Sequence, residues 1–241
     1  RHQETGWPIV YTSADSVLQI AAHEDSFGLE RLMTLCAEIA PSLHAQRVGR
    51  VIARPFVGEP GAYIRTQNRR EFAMTPPGPT LCEWATEAGR VVHGVGKSSY
   101  FFAGRGISDS AKGTDAELLE VLVQRLQMAD EGSLTFANFV EFDAIYGHRR
   151  DVSGDALALE WFDRHVPRLL AHLKPDDLLI FTADHGNDPT WSGTDHTRER
   201  VPVVAVGPYS GQIGVVAFAD VGASVAAHLG LSSDGPGRSF L

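Results

Sequence analysis

Apolar runs of strand length alternate with helical stretches through the C-terminal part of this 241-residue chain. Strands are predicted at 91–95, 134–142, 178–183 and 201–206, and helices at 80–89, 115–128, 155–173 and 220–229. Strands buried on both faces are continuously apolar, and parallel neighbours need a helical crossover between them. The alternation therefore predicts an α/β fold with a mainly parallel sheet.

The clearest break in composition is Thr-Pro-Pro-Gly-Pro at residues 75–79. Proline and glycine at this density interrupt regular structure, so we expect a domain boundary there. Before it, the pattern predicts a strand at 8–12, a helix at 28–39 and a strand at 47–54. Between the first strand and the helix at 28–39 it predicts another helix, capped by Ser13 or Asp15, with apolar positions Val17, Leu18, Ile20 and Ala21 on one face. The sequence thus predicts a smaller α/β domain at 1–75 and a larger one at 76–241.

Charge and composition limit the classes of partner. The chain has 21 basic and 30 acidic residues and a formal net charge of −9, which argues against a nucleic-acid partner. No apolar run approaches the roughly 20 residues that span a bilayer, so no membrane partner is expected. With only Cys36 and Cys82 there is no disulfide framework, which favours a cytoplasmic location. The oligomeric state stays open.

Acidic residues and histidines follow the predicted strands. Asp143 and His148 come after one strand, Asp184 and His185 after the next, and His196 lies in the loop beyond. In open α/β sheets, ligands bind at the carboxyl ends of strands. Imidazole and carboxylate together suit Zn, Mn or Fe in the +2 state. Five ligands are too many for one structural zinc but suit two metals with open positions, as in phosphoryl transfer.

A second group is cationic. Arg50 and Arg54 lie on the same side of one predicted strand, and Arg65, Lys97 and Arg198 lie in loops. Arginine matches phosphate oxygens with two parallel hydrogen bonds. The group predicts a small anionic substrate, with ordinary surface charge as the alternative reading.

Five motifs together resemble the prokaryotic phosphopentomutase family of the alkaline phosphatase superfamily. The more specific ones are Arg-Val-Ile-Ala-Arg-Pro-Phe at residues 50–56 and Tyr-Gly-His-Arg-Arg-Asp at 146–151. The others are Thr-Ser-Ala-Asp-Ser at 12–16, Thr-Ala-Asp-His-Gly-Asn-Asp-Pro at 182–189 and Gly-Thr-Asp-His-Thr-Arg-Glu at 193–199. The resemblance extends over nearly the whole chain.

The resemblance implies an activity and a cofactor. The family interconverts ribose or deoxyribose 1-phosphate and 5-phosphate through a phosphoenzyme at two Mn²⁺ ions. By resemblance, Asp143, His148 and His196 would hold one ion, and Asp184 and His185 the other. The fold implied is a core of alkaline-phosphatase type with a smaller α/β cap domain.

The resemblance also implies a substrate site. Residues 11–74 would belong to the cap, and Lys97 would reach the active site from the core. The cap residues implied to contact the sugar phosphate are Ser13, Asp15, Val17, Arg50 and Ile52. Arg65 joins them as a further candidate from the cationic group.

The chain departs from the family at its N-terminus. In the family, a core segment before the cap supplies another metal-binding aspartate and the threonine that is phosphorylated. The chain begins at Arg1, and none of its threonines matches that nucleophile motif, so the catalytic nucleophile is unassigned. We expect the working protein to carry this segment.

Three rival interpretations stay open. One is another enzyme of the same superfamily: a phosphatase, a phosphodiesterase or a cofactor-independent phosphoglycerate mutase. The second is a non-catalytic protein that binds a metal or ligand, and the third is a structural fragment without metal.

Overall fold

The computed structural model describes residues 1–13 and 16–241, which form two compact units. The first unit comprises residues 1–75 and the second residues 76–241. Their assignment as cap and core stays a prediction. Both units combine strands and helices, and the α/β fold class predicted from the sequence is confirmed.

The first unit is a mixed sheet with one long helix on it. Its elements are α1 (His2–Thr5), β1 (Ile9–Ser13), β2 (Val17–His23), a π-helical turn (Glu24–Gly28), α2 (Leu29–Ala45), β3 (Arg50–Val57), β4 (Ile64–Arg65) and β5 (Arg70–Ala73). Strands β2 and β3 are parallel, and the other pairs are antiparallel. Leu32 and Cys36 of α2 pack on Ile20, Val51 and Ala53 of the sheet.

The helix predicted after Ser13 is wrong: residues 17–23 form strand β2. Val17, Ile20 and Ala21 stand three and four residues apart, as on one face of a helix, whereas Leu18 and Ile20 stand two apart, as on one face of a strand. Strand pairing determines that these residues form a strand, because β2 pairs antiparallel with β1 on one edge and parallel with β3 on the other. The local sequence does not reveal the pairing with β1 and β3, and tertiary pairing of this kind overrides a weak helix propensity.

The second unit contains two sheets. Its elements are α3 (Leu81–Glu87), β6 (Val92–Gly96), α4 (Ser98–Phe101), β7 (Asp109–Ala111), α5 (Asp115–Met128), β8 (Leu134–Asn138), a π-helical turn (Phe142–Gly147), α6 (Val152–Leu170), β9 (Leu179–Thr182), β10 (Val203–Val206) and α7 (Phe218–His228). Strands β7, β6 and β8 form a parallel sheet in that order. Strands β9 and β10 pair with each other, antiparallel, which departs from the parallel order expected of them.

One hydrophobic core positions the strands that lead to the candidate ligands. Leu119 and Leu122 of α5 and Leu169 of α6 are buried together. Phe139, just after β8, and Phe181 of β9 pack against them. The chain segments that follow β8 and β9 are therefore anchored to the same pair of helices.

The strand predicted over residues 134–142 ends earlier, at Asn138. The carboxylate of Asp115, at the start of α5, accepts the N–H groups of Val140 and Glu141 at 3.1 Å each. In return, the Asp115 N–H donates to Glu141 Oε1 at 3.2 Å. These bonds replace the sheet pairing that would extend β8, so the chain turns away into the π-helical turn that carries Asp143.

Across the described residues, 1–13 and 16–241, none of the helices has the length and apolar character that crossing a bilayer requires.

Candidate metal centre

Asp143, His148 and His196 converge on one point of the second unit. Nε2 of His148 and Nε2 of His196 each lie 3.4 Å from Oδ1 of Asp143. One ligand atom from each residue lies within 4.8 Å of the others, which makes the three a candidate metal-binding group. The three side chains are 28–38% exposed, so an ion could enter from solvent.

The π-helical turn places two of these residues. Asp143 lies in its first turn and His148 directly follows its last residue. The Nδ1 atom of His148 is 2.5 Å from the Thr194 carbonyl oxygen, which can only accept. In the neutral ring Nδ1 therefore carries the hydrogen, and Nε2 presents its lone pair toward Asp143. A carbonyl that fixes the second ring nitrogen in this way is the usual support of a metal-binding histidine.

The observed separations fit a shared divalent ion. Two ligand atoms bound at about 2.1 Å, with a tetrahedral angle between them, lie about 3.4 Å apart. The two Nε2–Oδ1 distances have that value. Imidazole and carboxylate donors also match the preferences of Zn, Mn and Fe in the +2 state.

Asp184 and His185 lie next to this group. They follow β9, and Nε2 of His185 is 3.7 Å from Oδ2 of Asp184. The ring of His185 stacks on that of His196, with centroids 3.6 Å apart and planes 16° apart. An isolated antiparallel bridge between Gly186 and Thr197 joins the loop of His185 to the loop of His196. All five predicted ligands thus lie in one chain of contacts, with Asp184 the most exposed.

Two polar residues that the sequence reasoning left without a role complete the centre. Asn187 Nδ2 donates to Asp143 Oδ1 at 2.6 Å. Arg150 Nη1 donates to Asn187 Oδ1, also at 2.6 Å. Both residues stand inside the motifs that carry the resemblance, and that position is the only sequence signal that could have drawn attention to them.

In the first unit, four of the predicted substrate contacts share one face of the sheet. Val17 pairs with Arg50, and Ile52 points to the same side two residues along β3. Arg65 pairs with Phe56, an even number of residues from Arg50, and so shares that face. Val17 and Ile52 are buried, whereas Arg50 is partly exposed and Arg65 exposed.

Arg54 lies on the same face and is held by a neighbouring strand. Its Nε donates to Oε1 of Gln19 at 2.7 Å. Burial is the main cause that lowers the pKa of Arg54, and the positive charges of Arg69 and Arg65 lower it further. Glu71 pairs with Ile52 on this face and places Oε2 3.9 Å from Nη1 of Arg50, so three arginines and one carboxylate share the face.

The other predicted contacts are placed less fully. Asp15 and the side chain of Ser13 fall outside the part of the chain that the structure describes. Lys97 is exposed and directly follows β6, whose last residue, Gly96, pairs with Asn138 at the end of β8. Because β6 and β8 are parallel, Lys97 lies at the same edge of the sheet as the segment leading to Asp143.

A family model described as "Metalloenzyme superfamily" matches residues 96–233, which is more than half of the chain and includes all five candidate ligands. The chain belongs to the Metalloenzyme superfamily. This membership agrees with the donor set, since both point to a divalent metal ion. Several curated relatives match over the whole chain and are named phosphopentomutase.

Three of these relatives show how far the match to this Metalloenzyme superfamily member extends. The Sinorhizobium medicae protein is 51% identical over 245 residues, and the Rhizobium rhizogenes protein is 53% identical over 245. The Methylobacterium radiotolerans protein is 54% identical over 250 residues. Each match covers 100% of this chain but only 60% of the relative, so the chain spans about three fifths of their length.

One solved structure is also similar, the PH0037 protein from Pyrococcus horikoshii. It is 16% identical, with a TM-score of 0.45, over 73% of this chain and 52% of that one. At this score the likeness does not bear on the fold.

Proposed function

We propose that this chain is the metal-binding part and sugar-phosphate-binding part of a phosphopentomutase, which interconverts ribose or deoxyribose 1-phosphate and 5-phosphate. The observation that carries the proposal is the convergence of Asp143, His148 and His196 beside the stacked ring of His185. Its support from relatives is the identity of 51–54% to proteins named phosphopentomutase.

The proposed centre takes two Mn²⁺ ions. Asp143, His148 and His196 would hold one, and Asp184 and His185 the other, with positions left open for phosphate oxygens. When bound, such ions supply positive charge that stabilises the attacking and leaving oxygens of phosphoryl transfer.

The residues of the chain itself would do the binding and positioning. The guanidinium groups of Arg50 and Arg65 would hold the phosphate that is not reacting, since arginine pairs with phosphate oxygens in two-point geometry. Ile52 and Val17 would pack against the sugar. Lys97 would approach the reacting phosphate from the edge of the sheet. We place the enzyme in the cytoplasm, as the absence of a disulfide framework favours.

The test follows ribose 1-phosphate by phosphorus NMR with the natural gene product that contains this chain and added Mn²⁺. We expect the ribose 5-phosphate signal to grow while inorganic phosphate stays low. His148→Ala should abolish the conversion, whereas Asp176→Asn, at an exposed position, should leave it unchanged. Release of inorganic phosphate alone would identify a phosphatase and overturn the proposal, and so would no reaction at all.

A further inference from the structure

Arg150 lies between all three segments that carry the candidate ligands. Its Nη1 donates to the carbonyl oxygen of Gly147 at 2.8 Å, in the segment of Asp143 and His148. The same atom donates to Asn187 Oδ1 at 2.6 Å and, more weakly, to the Asp188 carbonyl at 3.1 Å. These two residues follow Asp184 and His185 in the chain.

The rest of the guanidinium reaches the third segment. Nε donates to the Gly193 carbonyl and Nη2 to the Asp195 carbonyl, both at 2.6 Å. Asp195 immediately precedes His196. One planar group with five N–H donors therefore binds acceptors on every loop of the centre, a geometry that no other side chain can supply.

The backbone of Arg150 shows that this placement is imposed by its surroundings. Its φ is +55°, in the left-handed region that L-residues other than glycine adopt at a cost of about 1–2 kcal/mol. Such conformations persist only where surrounding contacts over-determine them, and they cluster at functional sites.

Asn187 connects Arg150 to Asp143 by hydrogen bonds at both ends of its side-chain amide. Its side-chain oxygen accepts from Arg150, and its nitrogen donates to Asp143 Oδ1. A carboxylate oxygen has two lone pairs, so Oδ1 can accept this hydrogen bond and still bind an ion. The space is tight, because a Cβ added at Gly147 would lie 2.6 Å from Asn187 Nδ2.

We propose that Arg150 is the positioning residue of the metal centre: it ties the three ligand-bearing segments together and, through Asn187, fixes the carboxylate of Asp143. The inference rests on the proposed metal centre. The role of Arg150 depends on the planar shape of its guanidinium group and not only on its charge. A lysine at this position keeps the charge but places its three donors on a single nitrogen.

The experiment makes two measurements on the natural gene product that contains this chain. Calorimetry gives the affinity for Mn²⁺, and the visible absorption spectrum of the Co²⁺-loaded protein reports the geometry of the ligands. Arg150→Lys should weaken Mn²⁺ binding roughly 10- to 100-fold, the usual effect of losing a group that supports metal ligands. It should also change the Co²⁺ absorption bands, which report ligand geometry. Arg149→Lys is the matched control, since its exposed side chain adjoins Arg150 in sequence.

Further variants separate positioning from folding. Arg150→Ala should regain part of its Mn²⁺ affinity when free guanidinium ion is added at low concentration, which a general folding defect would not do. Asn187→Leu should weaken binding by itself, and its effect should shrink in the Arg150→Lys background because the two residues act in series.

The outcomes distinguish this inference from the proposed function. Unchanged Mn²⁺ affinity and an unchanged Co²⁺ spectrum in folded Arg150→Lys and Asn187→Leu would overturn the positioning role, whatever the reaction catalysed. A parent protein that binds Mn²⁺ but does not isomerise ribose 1-phosphate would overturn the function alone. A parent that binds no divalent ion would overturn both.

Discussion

The imidazole rings of His185 and His196 lie face to face, 3.6 Å between centroids, although each comes from a different loop. The bridge between Gly186 and Thr197 sets this contact, since it joins the two loops one residue beyond each histidine. His196 also faces Asp143, so the stack brings the Asp184–His185 pair alongside the three-residue group. Each set nevertheless has its own carboxylate, Asp143 or Asp184, so we expect a substitution in one set to remove the ion of that set alone.

Asp184→Ala should lower the bound Mn²⁺ from two ions to one per chain. Asp184 belongs to the proposed second ligand set, and its loss leaves His185 without the carboxylate 3.7 Å away. Metal content after dialysis, measured by plasma mass spectrometry, checks this. Asp176→Asn, at an exposed position, is the control and should keep two ions. Retention of both ions by Asp184→Ala would count against the ligand assignment.

Gly147→Ala should weaken Mn²⁺ binding about tenfold and destabilise the protein by about 1–3 kcal/mol. The added Cβ would lie 2.6 Å from Asn187 Nδ2 and 2.7 Å from its Cγ, so Asn187 must move off Asp143. The control is Gly222→Ala in α7, where an added Cβ meets nothing within 4 Å. Calorimetric titration and thermal melting measure the two effects. Equal behaviour of the two variants would contradict the expected displacement.

Arg50→Ala should raise KM for ribose 1-phosphate roughly 10- to 100-fold with a smaller change in kcat. The loss corresponds to one charge-assisted hydrogen bond of about 1.5–3 kcal/mol to the non-reacting phosphate. Arg70→Ala is the matched control, because Arg70 pairs with Ala53 and stacks on Phe72 on the opposite face of the sheet. Steady-state kinetics decide it, and similar KM values for the two variants would refute the phosphate-binding role of Arg50.

The contribution of Asp115 to the free energy of unfolding should fall as pH rises. Burial raises its pKa from 3.8 to about 6; the charge of Glu141 adds to the rise, while Lys97 and the two backbone N–H donors oppose it. The folded protein thus holds this proton more tightly than the unfolded chain. The resulting stabilisation is complete below about pH 4 and is lost as pH rises through about 6.

Comparison with Asp115→Asn isolates this effect. Relative to the variant, the parent should lose on the order of 2–3 kcal/mol of unfolding free energy between pH 4 and pH 7. Urea unfolding of both proteins across this range measures the difference. Asp176→Asn should track the parent at every pH. A constant gap between parent and Asp115→Asn would show that the pKa of Asp115 is not raised.

Local sequence patterns were enough to predict the fold class and to name the candidate ligands. Buried strands are apolar along their length, and ligands gather where strands end, so Asp143 and Asp184 could be picked out before any coordinates. The same local patterns failed at β2, where Val17 and Ile20 have helical spacing although the residues form a strand. It failed again after Asn138, where the Asp115 carboxylate takes the N–H groups that would have extended β8.

The sequence by itself determined which residue types are available for a divalent ion and in which loops they stand. Only the tertiary structure decided that Arg150 lies between those loops and that Asn187 reaches Asp143. The reason is that periodicity records which side of an element is buried, whereas the aim of a polar side chain depends on acceptors more than forty residues away, such as the carbonyls of Gly193 and Asp195.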